Sequence, residues 1–79
     1  NSISLFPNPS TDRVQIKNNS HEKINSVKVY TLQGKCIAIY NRQTNVEFNI
    51  ELSAFSKGTY IIEIEAGENI IHKKINYIN

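Results

Sequence analysis

Tryptophan and methionine are absent from this 79-residue chain, which holds one cysteine, one aspartate, two prolines and three glycines. Each shortage excludes something. A single cysteine, Cys36, allows no internal disulfide, so the fold must stand on packing. Set among Ile37, Ala38 and Ile39, with no histidine or second cysteine nearby, Cys36 fits a small strand residue better than a reactive or metal-bound thiol. A chain without methionine cannot be a translation product that keeps its initiator, so it is expected to be a piece of a larger protein. No apolar run approaches the roughly 20 residues of a bilayer helix. No basic and apolar leader opens the chain, and an exported parent would carry its signal peptide upstream of Asn1. Nine Lys and Arg against seven Asp and Glu leave a net charge of +2, scattered rather than gathered in a stripe. Nucleic acid is therefore not an expected partner.

Catalytic chemistry has little to work with. The one aspartate, Asp12, lies inside the turn cluster Asn8–Asp12, and His21 and His72 show neither zinc-site spacing nor a triad arrangement. No enzyme activity, catalytic residue, metal or cofactor is expected, and both histidines are expected on the solvated surface. Asn18-Asn19-Ser20 fits a glycosylation acceptor by pattern, but such tripeptides arise readily by chance in an asparagine-rich chain.

What is present is alternation. With 39% apolar and 20% charged residues, residues 1–79 make one soluble globular domain. Ile3 and Leu5 alternate with serines, Val14 and Ile16 with Arg13, Gln15 and Lys17, and Val27 and Val29 with Lys28 and Tyr30. Cys36–Tyr40 follows, then Val46, Phe48, Ile50 and Leu52, then Tyr60, Ile62 and Ile64, and finally the segment from Ile70 to Ile78. A period of two marks strands with one wet face. About seven short antiparallel strands at this spacing, with no long helical window, predict an all-β fold, a small immunoglobulin-like Greek-key sandwich.

The punctuation agrees. Pro7 and Pro9 around Asn8 each lack a backbone N–H and force the preceding residue to be extended, so the first strand ends there. Asn18–Lys23 forms a polar loop. Gly34 supplies the positive φ of a hairpin between the strands around Val29 and Ile37. Gly67 and Glu68 turn the sixth strand into the seventh. Gly58-Thr59-Tyr60 has the spacing of a tyrosine corner, in which the phenol bonds a backbone carbonyl a few residues upstream and pins a crossover between sheets.

Four segments in this order carry a resemblance. Leu5-Phe6-Pro7-Asn8-Pro9, Val29-Tyr30-Thr31-Leu32-Gln33-Gly34-Lys35, Phe55-Ser56-Lys57-Gly58-Thr59-Tyr60-Ile61-Ile62 and Lys73-Lys74-Ile75 resemble the C-terminal sorting domain of the type IX secretion system. Departures are small: Phe6 stands where tyrosine is usual, Phe55-Ser56 where Leu-Pro is usual, and Cys36 where an aliphatic residue is common. The resemblance implies a sorting signal at the end of an exported cargo protein of a Gram-negative bacterium. It also implies periplasmic transit, recognition by an outer-membrane translocon, removal by a cell-surface sortase, and a secreted or surface-attached product. It marks Pro7, Asn8, Pro9, Gly34, Gly58, Tyr60, Lys73 and Lys74 as the motif residues.

The final hairpin is where such an address is expected. Ile70 and Ile78 share a face with His72 and Lys74, while Ile71, Ile75 and Tyr77 point to the core, and an edge strand here invites strand addition. The alternative is that Lys73 and Lys74 merely guard an edge against aggregation. Sandwiches of this size also serve as adhesion, carbohydrate-binding or spacer modules. A sugar platform would draw on Phe6, Tyr30, Tyr40 and Tyr77, the aromatics not assigned to the core.

Overall fold

The computed structural model describes residues 3–6, 12–41 and 47–78. Seven strands follow in chain order: β1 (Ile3–Phe6), β2 (Arg13–Asn18), β3 (Ile24–Thr31), β4 (Cys36–Tyr40), β5 (Glu47–Glu51), β6 (Gly58–Ala66) and β7 (Asn69–Tyr77). No helix occurs among the described residues. Every pairing is antiparallel, in one sheet ordered β1-β2-β5 and another ordered β4-β3-β6-β7. Hairpins join β3 to β4 and β6 to β7, whereas the connections β2–β3, β4–β5 and β5–β6 cross between sheets. This is the expected immunoglobulin-like sandwich. Pro7, Asn8 and Pro9 lie outside the described residues, as do Val46 and the side chain of Phe48.

The period-two pattern produces the core directly. Val14 and Ile16 of β2, with Ile50 of β5 and Leu52 just beyond it, meet Val27, Val29, Ile62, Ile64 and Ile75 of the other sheet, all essentially sealed from solvent. Isoleucine and valine dominate because a stiff, branched side chain fits the pleated surface with little rotamer freedom left to lose. Each such burial contributes about 1.5–3 kcal/mol, enough in number to hold a small domain without disulfide or metal.

Two bulges shift the strand limits away from the simple pattern. On β3, Ile24 pairs with Ala66 but Ser26 with Glu65, so Asn25 is the extra residue and Ile24 and Val27, three apart, both face inward. The strand therefore begins at Ile24, three residues before its alternation becomes visible in sequence. On β4, Cys36 pairs with Tyr30 and Ala38 with Val29, which leaves Ile37 as the extra residue. Cys36 is thereby exposed, its Sγ–H donating to the Ala38 carbonyl at 3.5 Å.

Turn chemistry matches its residues. Gly34 adopts φ +93°, its N–H donating to the Thr31 carbonyl at 3.0 Å, while the Thr31 N–H closes the loop on the Lys35 carbonyl at 2.8 Å. Asn18 is buried. Its side-chain nitrogen donates to the Glu22 carbonyl at 2.7 Å and its oxygen accepts from the Ser20 N–H at 2.9 Å, so Asn18-Asn19-Ser20 acts as a loop staple.

Replacing Ile62 by Ala should cost about 2–5 kcal/mol, because it opens a cavity in the middle of the sandwich. Ile39→Ala, at a side chain 56% exposed on β4, should change stability by less than about 0.5 kcal/mol. Urea unfolding of the two variants measures the contrast.

Candidate functional site

Strand β7 closes one edge of the four-stranded sheet, with β6 on one side and no described strand on the other. It pairs with β6 from Ala66 opposite Asn69 to Gly58 opposite Tyr77, an unbroken register. The turn is two residues long and starts with Gly67 at φ +62°, where an added Cβ would fall on the Glu22 carboxylate. The Gly67 N–H also donates to the Lys23 carbonyl at 3.2 Å, tying the hairpin tip to the loop after β2.

The two faces of β7 differ as the alternation predicts. Ile75 and Tyr77 are buried and Ile71 half-buried, while Ile70 and Ile78 are 60% and 54% exposed. The lysine pair is split between the faces. Lys74 stands on the outer side opposite Ile61, and Lys73 points inward opposite Ile62, half-buried at the rim of the core. A lysine there lays its methylene stem against apolar neighbours and takes its ammonium to the rim.

On the outer face a charged row runs across the sheet, through Ile39, Lys28, Glu63 and His72 in register. The Glu63 carboxylate lies 3.0 Å from His72 Nε2 and 3.9 Å from Lys28 Nζ. Sequence inspection did not single out Lys28 or Glu63. Their outward parity was legible, but their alignment depends on β3 pairing with β6, from which β4 and β5 separate it in the chain. His72 thus faces solvent with a carboxylate partner, and His21 is exposed in its loop.

Gly34, Gly58 and Tyr60, the other motif residues that the structure describes, meet at one end of the sandwich. Tyr60 is 7% exposed and its hydroxyl donates to the Ser56 carbonyl, while its ring lies 5.8 Å from that of Phe55. This is the anticipated tyrosine corner. It spans the β5–β6 crossover, which is also anchored by the Leu52 N–H on the Asp12 carbonyl at 2.9 Å and the Phe55 N–H on the Leu52 carbonyl at 2.9 Å. Gly58, at φ +153°, starts β6 in a backbone region that side-chain-bearing residues rarely adopt. The Gly34 hairpin lies at this same end, because Thr31 pairs with Tyr60. Tyr77 pairs with Gly58 there. Ile3, opposite Asn18, lies at the other end of the sandwich. Lys73 and Lys74 sit midway along.

Among the described residues no three His, Cys, Asp or Glu side chains gather as a metal site. The candidate sugar-stacking aromatics do not share a surface. Tyr77 is buried, Phe6 belongs to the three-stranded sheet, Tyr30 lies on the outer face of the other sheet, and Tyr40 packs against the core. No helix among the described residues is long and apolar enough to cross a membrane.

Fold and corner together define an immunoglobulin-like β-sandwich domain. The family model described as the secretion system C-terminal sorting domain matches residues 4–78. The chain belongs to that family, as a type IX secretion C-terminal sorting domain of a secreted or cell-surface protein. Comparison with curated proteins gives no match.

Tyr60→Phe should lower unfolding free energy by about 1 kcal/mol, since it deletes one side-chain hydrogen bond while Ser56, exposed, leaves its carbonyl open to water. Tyr60→Ala should cost about 3–5 kcal/mol through lost packing as well. Chemical denaturation of both variants checks the order.

Proposed function

We propose that the domain is a non-catalytic export address that the outer-membrane translocon reads along β7 by strand addition. In this reading the cargo reaches the periplasm through its own signal peptide, the folded domain is recognised at the translocon, and a cell-surface sortase then removes it. The observation that carries the reading is the state of β7: nine residues long, paired among the described strands with β6 alone, with Ile70 and Ile78 exposed. Such an edge offers main-chain hydrogen bonds for affinity and alternate side chains for specificity.

The test is a periplasmic fluorescent protein fused ahead of these residues in a bacterium that carries the type IX system. The native chain should bring fluorescence outside the cell. The double variant Ile70→Ser, Ile78→Ser should stay folded, because exposed positions change stability by only about 0.5 kcal/mol each, and should retain the reporter inside. Undiminished export by the folded double variant would remove this face of β7 from the address.

A further inference from the structure

At the corner end of the sandwich the β3–β4 hairpin and the β5–β6 crossover leave a cleft between them. One half of it, about 450 Å³, is walled by Ile37, Ala54, Phe55 and Tyr60. The other half, about 270 Å³, lies between Leu32 and Gln33 of the hairpin and Lys57 and Gly58 of the crossover. Thr31 and Tyr60 border both, so the two halves adjoin.

The halves differ in chemistry. Ile37, the extra residue of the β4 bulge, and Phe55 are half-buried against the core, and the Phe55 and Tyr60 rings lie 5.8 Å apart, so the larger half is apolar. Leu32 is 60% exposed at the rim of the smaller half. The hairpin closes through the backbone of Thr31, Gly34 and Lys35, and none of those bonds needs a leucine side chain at position 32. Charge around the cleft is of one sign. The hairpin turn brings Lys35 and the crossover brings Lys57, and neither segment contains an acidic residue. Among the described residues the Lys57 ammonium pairs with no carboxylate.

We propose that this cleft is a second docking site, for a segment of a partner protein that presents a bulky apolar side chain, Phe or Leu, next to an acidic residue. The apolar side chain enters between Ile37, Phe55 and Tyr60, and the carboxylate meets Lys57. Both halves open to solvent, so a free small molecule would leave much of its surface in water, whereas a side chain on a protein segment has its other side covered by its own chain. The walls are set in advance. Tyr60 holds the Ser56 carbonyl, the Phe55 N–H holds the Leu52 carbonyl, and the hairpin is closed by its own bonds, so little ordering opposes docking. The site stands on the two loops rather than on β7, and the proposal does not depend on strand addition there.

Four short capped peptides, Gly-Ser-Xaa-Xaa-Ser-Gly with Phe-Glu, Phe-Gln, Phe-Lys or Ser-Glu at the centre, test this by titration into the isotope-labelled chain followed by NMR. The Phe-Glu peptide should shift amides of residues 31–33 and 54–60. It should bind about twofold to fivefold better than Phe-Gln, with Phe-Lys weaker still and the advantage shrinking as salt is raised. Replacing Phe by Ser should weaken binding about tenfold. In the Lys57→Gln chain the Phe-Glu and Phe-Gln peptides should bind alike. In the Ala54→Trp chain, whose indole fills the apolar half from an exposed position, binding should be lost while the rest of the spectrum stays native. Equal binding of the Phe-Glu and Phe-Gln peptides to the native chain would overturn the acidic element. Absence of shifts in both segments at millimolar Phe-Glu peptide, or shifts confined to residues 69–73 of β7, would overturn the site itself.

Discussion

Among the described strands, β7 is fastened to β6 alone, and the other properties of the domain follow from that attachment. Its ladder to β6 runs the full length of both strands, so Ile75 and Tyr77 reach the core only because β6 holds them there. The opposite edge is left without a neighbour among the described strands. A strand in this position must solve two problems together: stay folded without a second neighbour, and avoid the pairing that an open edge invites. The inward face solves the first with buried side chains, and Lys73 and Lys74 stand at mid-strand, one on each face.

Strand β6 makes this possible. It lies between β3 and β7 and places Ile62 and Ile64 at the centre of the sandwich. It also begins at the tyrosine corner, where the Tyr60 hydroxyl bonds the Ser56 carbonyl and sets how the chain crosses from the β5 sheet. An error at that crossing would misplace β6 and carry β7 with it. The corner residues and the lysine pair, far apart in function, are therefore linked through one strand.

Much of this was legible in the amino-acid sequence. The alternation around Val14, Ile50, Ile62 and Ile75 located strands and core faces, and the glycines at 34 and 67 located hairpins, because these are local consequences of side-chain parity and backbone sterics. The spacing of Gly58 and Tyr60 announced a bond from the phenol to a backbone carbonyl a few residues upstream, which the structure identifies as that of Ser56. What escaped depends on counts or pairings no local pattern records. The Asn25 bulge resets the parity between Ile24 and Val27 and hid three residues of β3. The Ile37 bulge turned Cys36 outward. The Lys28–Glu63–His72 row exists only because β3 and β6 are neighbours, a non-local pairing. The lysine pair was visible as a motif on an anticipated edge strand, and the structure adds that Lys73 is half-buried on the inward face while Lys74 is exposed.

Amide hydrogen exchange along residues 69–77, in the free chain and bound to the outer-membrane translocon, tests the one-sided attachment most directly. The account predicts alternation in the free chain, with amides directed at β6 exchanging slowly and those directed outward exchanging fast, and slowing of the fast set on binding. Uniform protection of β7 in the free chain, or fast amides unchanged in the complex, would contradict it.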